Sequence, residues 1–225
     1  MIDWQPLWLS FQLAFVTTAI LLLLAIPLAY WLAYSRFRWK VIAEAIISLP
    51  MVLPPSVLGF YLLLAFSPSG AFGHFLDRYL DIRLVFTFPG LVVASLLYSL
   101  PFMINPILSG FRSLPPNLKE ASRTLGKSAF TTLLRILLPN IRTSLITGAV
   151  LSFAHTIGEF GVVLMIGGNI PGQTRVASLA IYDEVQSMNY PLANRYALTL
   201  FAFSFGILLL VYLVNHHFSK PNPLP

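Results

Sequence analysis

Residues 111–140 read FRSLPPNLKEASRTLGKSAFTTLLRILLPN, the longest polar interruption in an otherwise apolar chain, and they hold five of its fourteen Lys and Arg residues. Two amphipathic patterns flank Gly126. Leu118, Ala121, Ser122 and Leu125 recur at helical spacing in the first; Phe130, Leu133, Leu134, Leu137 and Leu138 do so in the second. Asn117 with Glu120 three residues later predicts an N-cap and its capping-box partner. Gly126 supplies the left-handed residue that ends the first helix, and Ser128 caps the second. Neither half is long enough to cross a bilayer, so this elbow, spanning 112–142, lies at or beyond the membrane face. Gly126-Lys127-Ser128 mimics the end of a phosphate-binding loop, but Ala121 stands where that loop needs its first glycine. ATP binding is not expected here.

Around the elbow, composition sets the class. The 225 residues are 57% hydrophobic and 10% charged, with mean hydropathy +0.78, which places the chain in a lipid bilayer. Formal net charge is +6. In a membrane protein such a balance reports positive cytoplasmic loops rather than a nucleic-acid partner. Zero cysteines exclude disulfides and thiolate metal sites.

Five spans follow from the apolar runs. The first, 9–34, is too long for a signal-peptide core and is expected to be retained; Trp4 and Trp8 at one end and Tyr30, Trp31 and Tyr34 at the other read as interface belts. The basic turn at 35–40 leads into a second span, 41–66, with Glu44 in its first turn. Pro50, Pro54 and Pro55 must kink or unwind this span. Residues 67–87 read as an external loop with a short interfacial helix. A third span, 88–111, holds Pro101, Asn105 and Pro106 and reads as a second broken helix. The fourth, 143–166, carries Ser144, Gly148, Ser152 and Thr156 at every fourth position, a small-residue stripe that suits packing within the chain or a dimer interface. Beyond an external segment, 167–194, with a short helix at 176–185, comes the last span, 195–215, followed by His216, His217 and a Pro-rich tail with no room for another domain.

Charge orients these spans. Arg36, Arg38, Lys40, Arg112, Lys119, Arg123, Lys127, Arg135, Arg142 and Lys220 fall on one side; Arg78, Arg83, Arg175 and Arg195 fall on the other. By the positive-inside rule the elbow and C-terminus are cytoplasmic and the N-terminus is outside.

No catalytic set emerges. His155 and Glu159 lie one turn apart, but no second histidine completes a metal site. Glu159 is a carboxylate within a span, a costly placement that marks a path or gate residue, or a structural acid bonded to His155 or to amides freed at the flanking glycines, Gly158 and Gly161. Asn105 reads as able to satisfy backbone groups freed by Pro106.

The elbow's spacing resembles a known motif. Glu120-Ala121-Ser122, three residues, Gly126, nine residues, then Ile136-x-Leu138-Pro139 is similar to the EAA loop of ABC importer permeases; only Ser122, in place of alanine, departs. Gly158-Glu-Phe-Gly161, the loop Gly167-Gly-Asn-Ile-Pro-Gly-Gln-Thr174, and Leu49-Pro50-Met-Val-Leu-Pro54-Pro55-Ser-Val-Leu-Gly59 resemble the oxyanion branch of that family. Ala154-His155-Thr156-Ile157 and Ala180-Ile-Tyr-Asp183 lean toward the molybdate branch, with sulfate and tungstate permeases as the alternatives.

The resemblance implies an all-α type I ABC importer permease fold forming one domain, 1–225, of about five spans in a bacterial inner membrane. It implies two copies of the chain, two ABC ATPase subunits that hydrolyse ATP and grip the elbows, and an external oxyanion-binding protein. No cofactor or metal is expected in the chain itself. Glu120, Ala121, Ser122, Gly126, Ile136, Leu138 and Pro139 would couple to the ATPase, while Pro54, Pro55, Asn105, His155 and Glu159 are candidates for the path or its gate. An ion-coupled secondary transporter is the rival; it would need an ion site and usually an internal repeat.

Overall fold

The computed structural model describes residues 2–219, with side chains to 213; Lys220 and the Pro-rich tail, and the side chains of His216 and His217, lie outside the described residues. Among the described residues every regular element is helical. Helix α1 runs Gln5–Tyr34, α2 Lys40–Ser48, α3 Pro55–Phe66, α4 Ala71–Leu80, α5 Phe88–Ser113, α6 Pro116–Thr124, α7 Ala129–Thr132, α8 Leu138–Asn140, α9 Arg142–Ile157, α10 Gly161–Gly167, α11 Ala177–Gln186 and α12 Tyr190–Ser219.

Three helices are long and apolar enough to cross a membrane alone: α1, α5 and the Tyr190–Leu213 part of α12. Two bent pairs raise the number to five if each is one span: Lys40–Met51 with Pro55–Phe66 at 108°, and Ala129–Asn140 with Arg142–Ile157 at 76°. The first bend sits where Pro50, Pro54 and Pro55 predict it. A 3-10 turn, Leu49–Met51, ends the α2 arm and extended Pro54 caps α3.

Elsewhere the structure departs from the sequence reading. Helix α5 passes unbroken through Pro101 and Pro106. Each proline removes one N–H bond and clashes with the turn before it. In α5 that loss is absorbed, because the helix is wedged between α1 and α9 and Pro101 is buried. The fourth span, expected as one helix, is two: α9 ends at Ile157 and α10 begins at Gly161, with Gly158-Glu159-Phe160 non-helical between them. The last helix begins five residues earlier than expected, at Tyr190.

At the elbow end the core joins Leu21, Ala25, Ala29 and Leu32 of α1 to Met103, Ile104, Ile107 and Phe111 of α5, closed by Leu137 and Ile141. At the opposite end Leu13, Leu91, Val162, Val163, Ile166 and Leu179 form a second core. The small-residue stripe of α9 is consumed inside the chain. A Cβ on Gly148 would lie 2.9 Å from the Met103 carbonyl oxygen, so α9 lies against α5 at backbone contact. Thr156 bonds Ser99 of α5. That face is therefore not available to a second copy.

Candidate functional site

The elbow is built from local rules. Pro115 caps α6 in extended geometry and Pro116 opens its first turn, where its missing N–H is an orphan in any case. The expected Asn117–Glu120 capping box is absent, since the proline pair starts the helix one residue before Asn117 and no side chain caps it. At the other end the Gly126 amide reaches Arg123 O at 2.9 Å and the Lys127 amide reaches Ser122 O at 3.1 Å, a Schellman pair. Gly126 holds φ +67°, and a Cβ there would meet nothing within 4 Å. Backbone conformation, not space, reserves the position for glycine. Ser128 caps α7 as expected, its Oγ accepting from the Thr131 amide at 3.1 Å.

One buried contact clasps the two arms. Thr132 Oγ1 donates to Ser128 O at 2.9 Å, so its single proton is taken and Ser122 Oγ donates to it at 2.7 Å. Ser122 is the residue that replaces the motif's alanine, and Thr132 carries no mark in the motif. The pair was not foreseen. Between Thr132 and α8 the chain widens into a π turn, Leu133–Leu137.

A cation–π contact docks the elbow on α1, and a hydrogen bond from the same tyrosine ties α1 to α5. Lys119 Nζ stands 4.0 Å from the centre of the Tyr34 ring and 5.2 Å from that of Tyr30, a geometry attractive by about 0.5–2 kcal/mol. Tyr34 Oη donates to Phe111 O at 3.2 Å. Leu137 is buried, and Ile136 and Leu138 pack half-buried on the same core. The motif thus divides by role. Ser122, Ile136 and Leu138 anchor the elbow, while Glu120, Ala121, Gly126 and Pro139 remain exposed, as do Leu125, Phe130 and Leu134.

A second constellation lies near the α9–α10 break. Pro55, Ser56, Tyr98, His155 and Glu159 line a concavity of about 570 Å³ that opens to one side of the molecule. Glu159 is 4% exposed. Its Oε2 accepts from Ser95 of α5 at 2.7 Å, and its main-chain oxygen accepts from Ser178 of α11 at 2.6 Å; Oε1 is buried without a partner. Neither His155 nor a freed backbone amide holds the carboxyl, contrary to the sequence reading. The His155 ring is stacked on Phe102 at 4.0 Å and lies 4.5 Å from Tyr98. Its Nδ1 is 3.1 Å from Ser99 Oγ.

Of the five path candidates, Pro55, His155 and Glu159 come together on this concavity, and Pro54 immediately precedes it. Asn105 does not join them. It is exposed, about 10 Å along α5 from Tyr98, and its Nδ2 faces Met51 Sδ at 3.7 Å rather than the backbone near Pro106. Ser95 and Ser99 went unremarked in the sequence, although their four-residue spacing is the same signal that marks the α9 stripe. Among the described residues no cluster of metal-ligating side chains occurs.

Comparison with known proteins identifies the family and the fold. Residues 25–220 match the family described as binding-protein-dependent transport system inner membrane component. The molybdenum transport system permease protein ModB of Azotobacter vinelandii is 44% identical over 93% of each chain. The sulfate transport system permease protein CysT of Salmonella typhimurium is 35% identical over 90% of this chain and 72% of its own. A bacterial ABC transporter that imports the acidic polysaccharide alginate shares the fold, with TM-score 0.80 at 18% identity over 96% of this chain and 79% of that one. The chain belongs to the family of binding-protein-dependent transport system inner membrane components and has the type I ABC importer permease fold.

Proposed function

We propose that the chain forms the transmembrane path of an ATP-driven importer for a tetrahedral oxyanion, and that the anion is molybdate rather than sulfate. The observation that carries this is the 44% identity to a molybdenum permease along 93% of both chains, against 35% to a sulfate permease of which 72% is matched. The elbow supports the ATP-driven part. It is an internally clasped unit, packed on α1 and α5, that offers Leu125, Phe130 and Leu134 on its exposed surface.

In this reading two copies of the chain pair, each elbow seats on one of two ATPase subunits, and an external binding protein delivers the anion. ATP-driven closure of the ATPases draws the elbows together, and the shared core carries that motion to the spans as a shift between two packed states. The concavity beside Pro55 and His155 lies open in a single copy, and a second copy closes it. The role assigned to Glu159 is structural rather than that of an anion ligand: ionised, it would repel the anion, and its Oε2 is already held by Ser95. Through Ser95 and Ser178 it ties the α9–α10 break to α5 and α11. Deleting the gene tests the substrate: molybdate uptake and molybdenum-enzyme activity fall and are restored by excess external molybdate, while sulfate uptake persists. The reverse pattern assigns the chain to sulfate. Uptake that follows an ion gradient instead of ATP assigns it to another transporter class.

A further inference from the structure

Where α1 ends, a pocket of about 370 Å³ lies between its last turn and one face of α6, lined by Tyr34, Arg36, Lys119, Glu120 and Arg123. Lys119, Glu120 and Arg123 share that face by helical spacing. Three cations stand against one carboxylate. Arg36 and Arg123 form no ion pair among the described residues, and Lys119 is turned onto the Tyr34 ring. An unpaired cluster of this kind, framed by two rigid elements, matches the chemistry of a phosphate monoanion or diester, which guanidinium groups bind through paired N–H donors.

The depth of the pocket selects the source of that phosphate. Helix α1 has 30 residues and is about 45 Å long, longer than a hydrocarbon core of about 30 Å. Its final turn, and the pocket beside it, therefore reach the headgroup layer. Trp31, Phe37 and Trp39 are exposed there, and the Trp31 and Phe37 rings stand 6.0 Å apart. Exposed aromatic rings alternating with Arg36, Arg38 and Lys40 mark an interfacial belt, not a soluble-ligand mouth. We infer that this pocket receives the phosphate headgroup of an anionic phospholipid from the leaflet that faces the elbow. The lipid bridges the α1–α2 loop to α6 and so stiffens the seat of the elbow. This rests on the membrane reading and is independent of the transported anion.

The test uses the purified permease–ATPase complex, stripped of lipid and offered mixtures of phosphatidylglycerol and phosphatidylcholine, with retained lipid counted by native mass spectrometry. Wild type keeps phosphatidylglycerol preferentially. Each cation engaged near an anionic surface supplies roughly fivefold, so Arg36→Gln lowers the preference by about that factor and Arg36→Gln/Arg123→Gln lowers it further. Arg36→Lys/Arg123→Lys keeps the charge but loses the paired N–H donors, so its preference falls between wild type and the glutamine double variant, which separates loss of the site from misfolding, and Arg78→Gln at the opposite end is unchanged. Equal preference in wild type and the glutamine double variant overturns the site, as does a lysine double variant that keeps no more preference than the glutamine one. Displacement of the lipid by millimolar inorganic phosphate overturns the lipid in favour of a soluble anion. Lipid counting needs no transport, so a wrong substrate assignment leaves the result intact.

Discussion

Ser122 shows how a departure from a motif acquires a physical meaning. Its hydroxyl donates to Thr132 Oγ1 in a buried contact, and Thr132 passes its own proton to Ser128 O. Restoring the alanine, Ser122→Ala, removes one neutral hydrogen bond and leaves Thr132 still donating, at a cost of about 0.5–1.5 kcal/mol. Thr132→Val is worse. It strands the buried Ser122 donor as well as losing the Ser128 contact, and such a stranded group costs about 1–3 kcal/mol. Thermal unfolding of the two variants should rank them in that order, and the opposite ranking would remove the clasp. Gly126 gives a second test, at the adjoining turn. With φ at +67° and open space where a Cβ would go, strain alone is at stake. Gly126→Val should cost about 1–2 kcal/mol while Gly126→Asn, which tolerates the left-handed region, costs less. ATPase activity coupled to transport should fall in the same order. Normal coupling in Gly126→Val would remove the turn from the mechanism.

Between elements, the readable features were those fixed by short-range chemistry. Gly126, the Ser128 cap and the Pro54-Pro55 break follow from residues within a few positions of one another, and the structure has all three. What the sequence hid depends on neighbours it cannot display. Pro101 and Pro106 carry the same local signal as Pro54 and Pro55, yet α5 stays helical because α1 and α9 clamp it. Asn117 is a good cap that the Pro115-Pro116 pair pre-empts. The sequence spacing puts Glu159 on a helix with His155, whereas the helix stops short of it and its partners come from α5 and α11. The α9 stripe was readable as close packing but not as to its partner, which the approach of Gly148 to Met103 identifies as α5. Gly148→Leu must push these helices apart or force neighbouring rotamers, at a cost of about 1–3 kcal/mol. The expected result is a lower unfolding temperature with membrane insertion intact. An unchanged temperature would mean that the α5–α9 contact yields without cost.

For the whole molecule the question is which way it sits in the membrane. The charges argue for one orientation where single helices argue for none. Arg36, Arg38 and Lys40 follow α1, while Arg112, Lys119, Arg123, Lys127, Arg135 and Arg142 surround the elbow. These groups meet at one end of the bundle, where Tyr34 is bonded to Phe111, Lys119 lies on Tyr34, and Glu44 pairs with Arg112. The opposite end holds Arg78, Arg83, Arg175 and Arg195, and two of these are already neutralised locally, Arg83 by Asp77 and Arg175 by Asp183. We propose from this asymmetry, by retention of Lys and Arg on the cytoplasmic side, that the elbow lies inside. Because the chain has no cysteine, introduced thiols report without background. Arg38→Cys and Lys127→Cys should be shielded in intact cells from a membrane-impermeant thiol reagent and react once the membrane is opened. Arg78→Cys and Gln173→Cys, on exposed loop and helix surface at the other end, should react at once. Labelling of Lys127→Cys in intact cells inverts the molecule, and with it goes any contact between the elbow and a cytoplasmic ATPase.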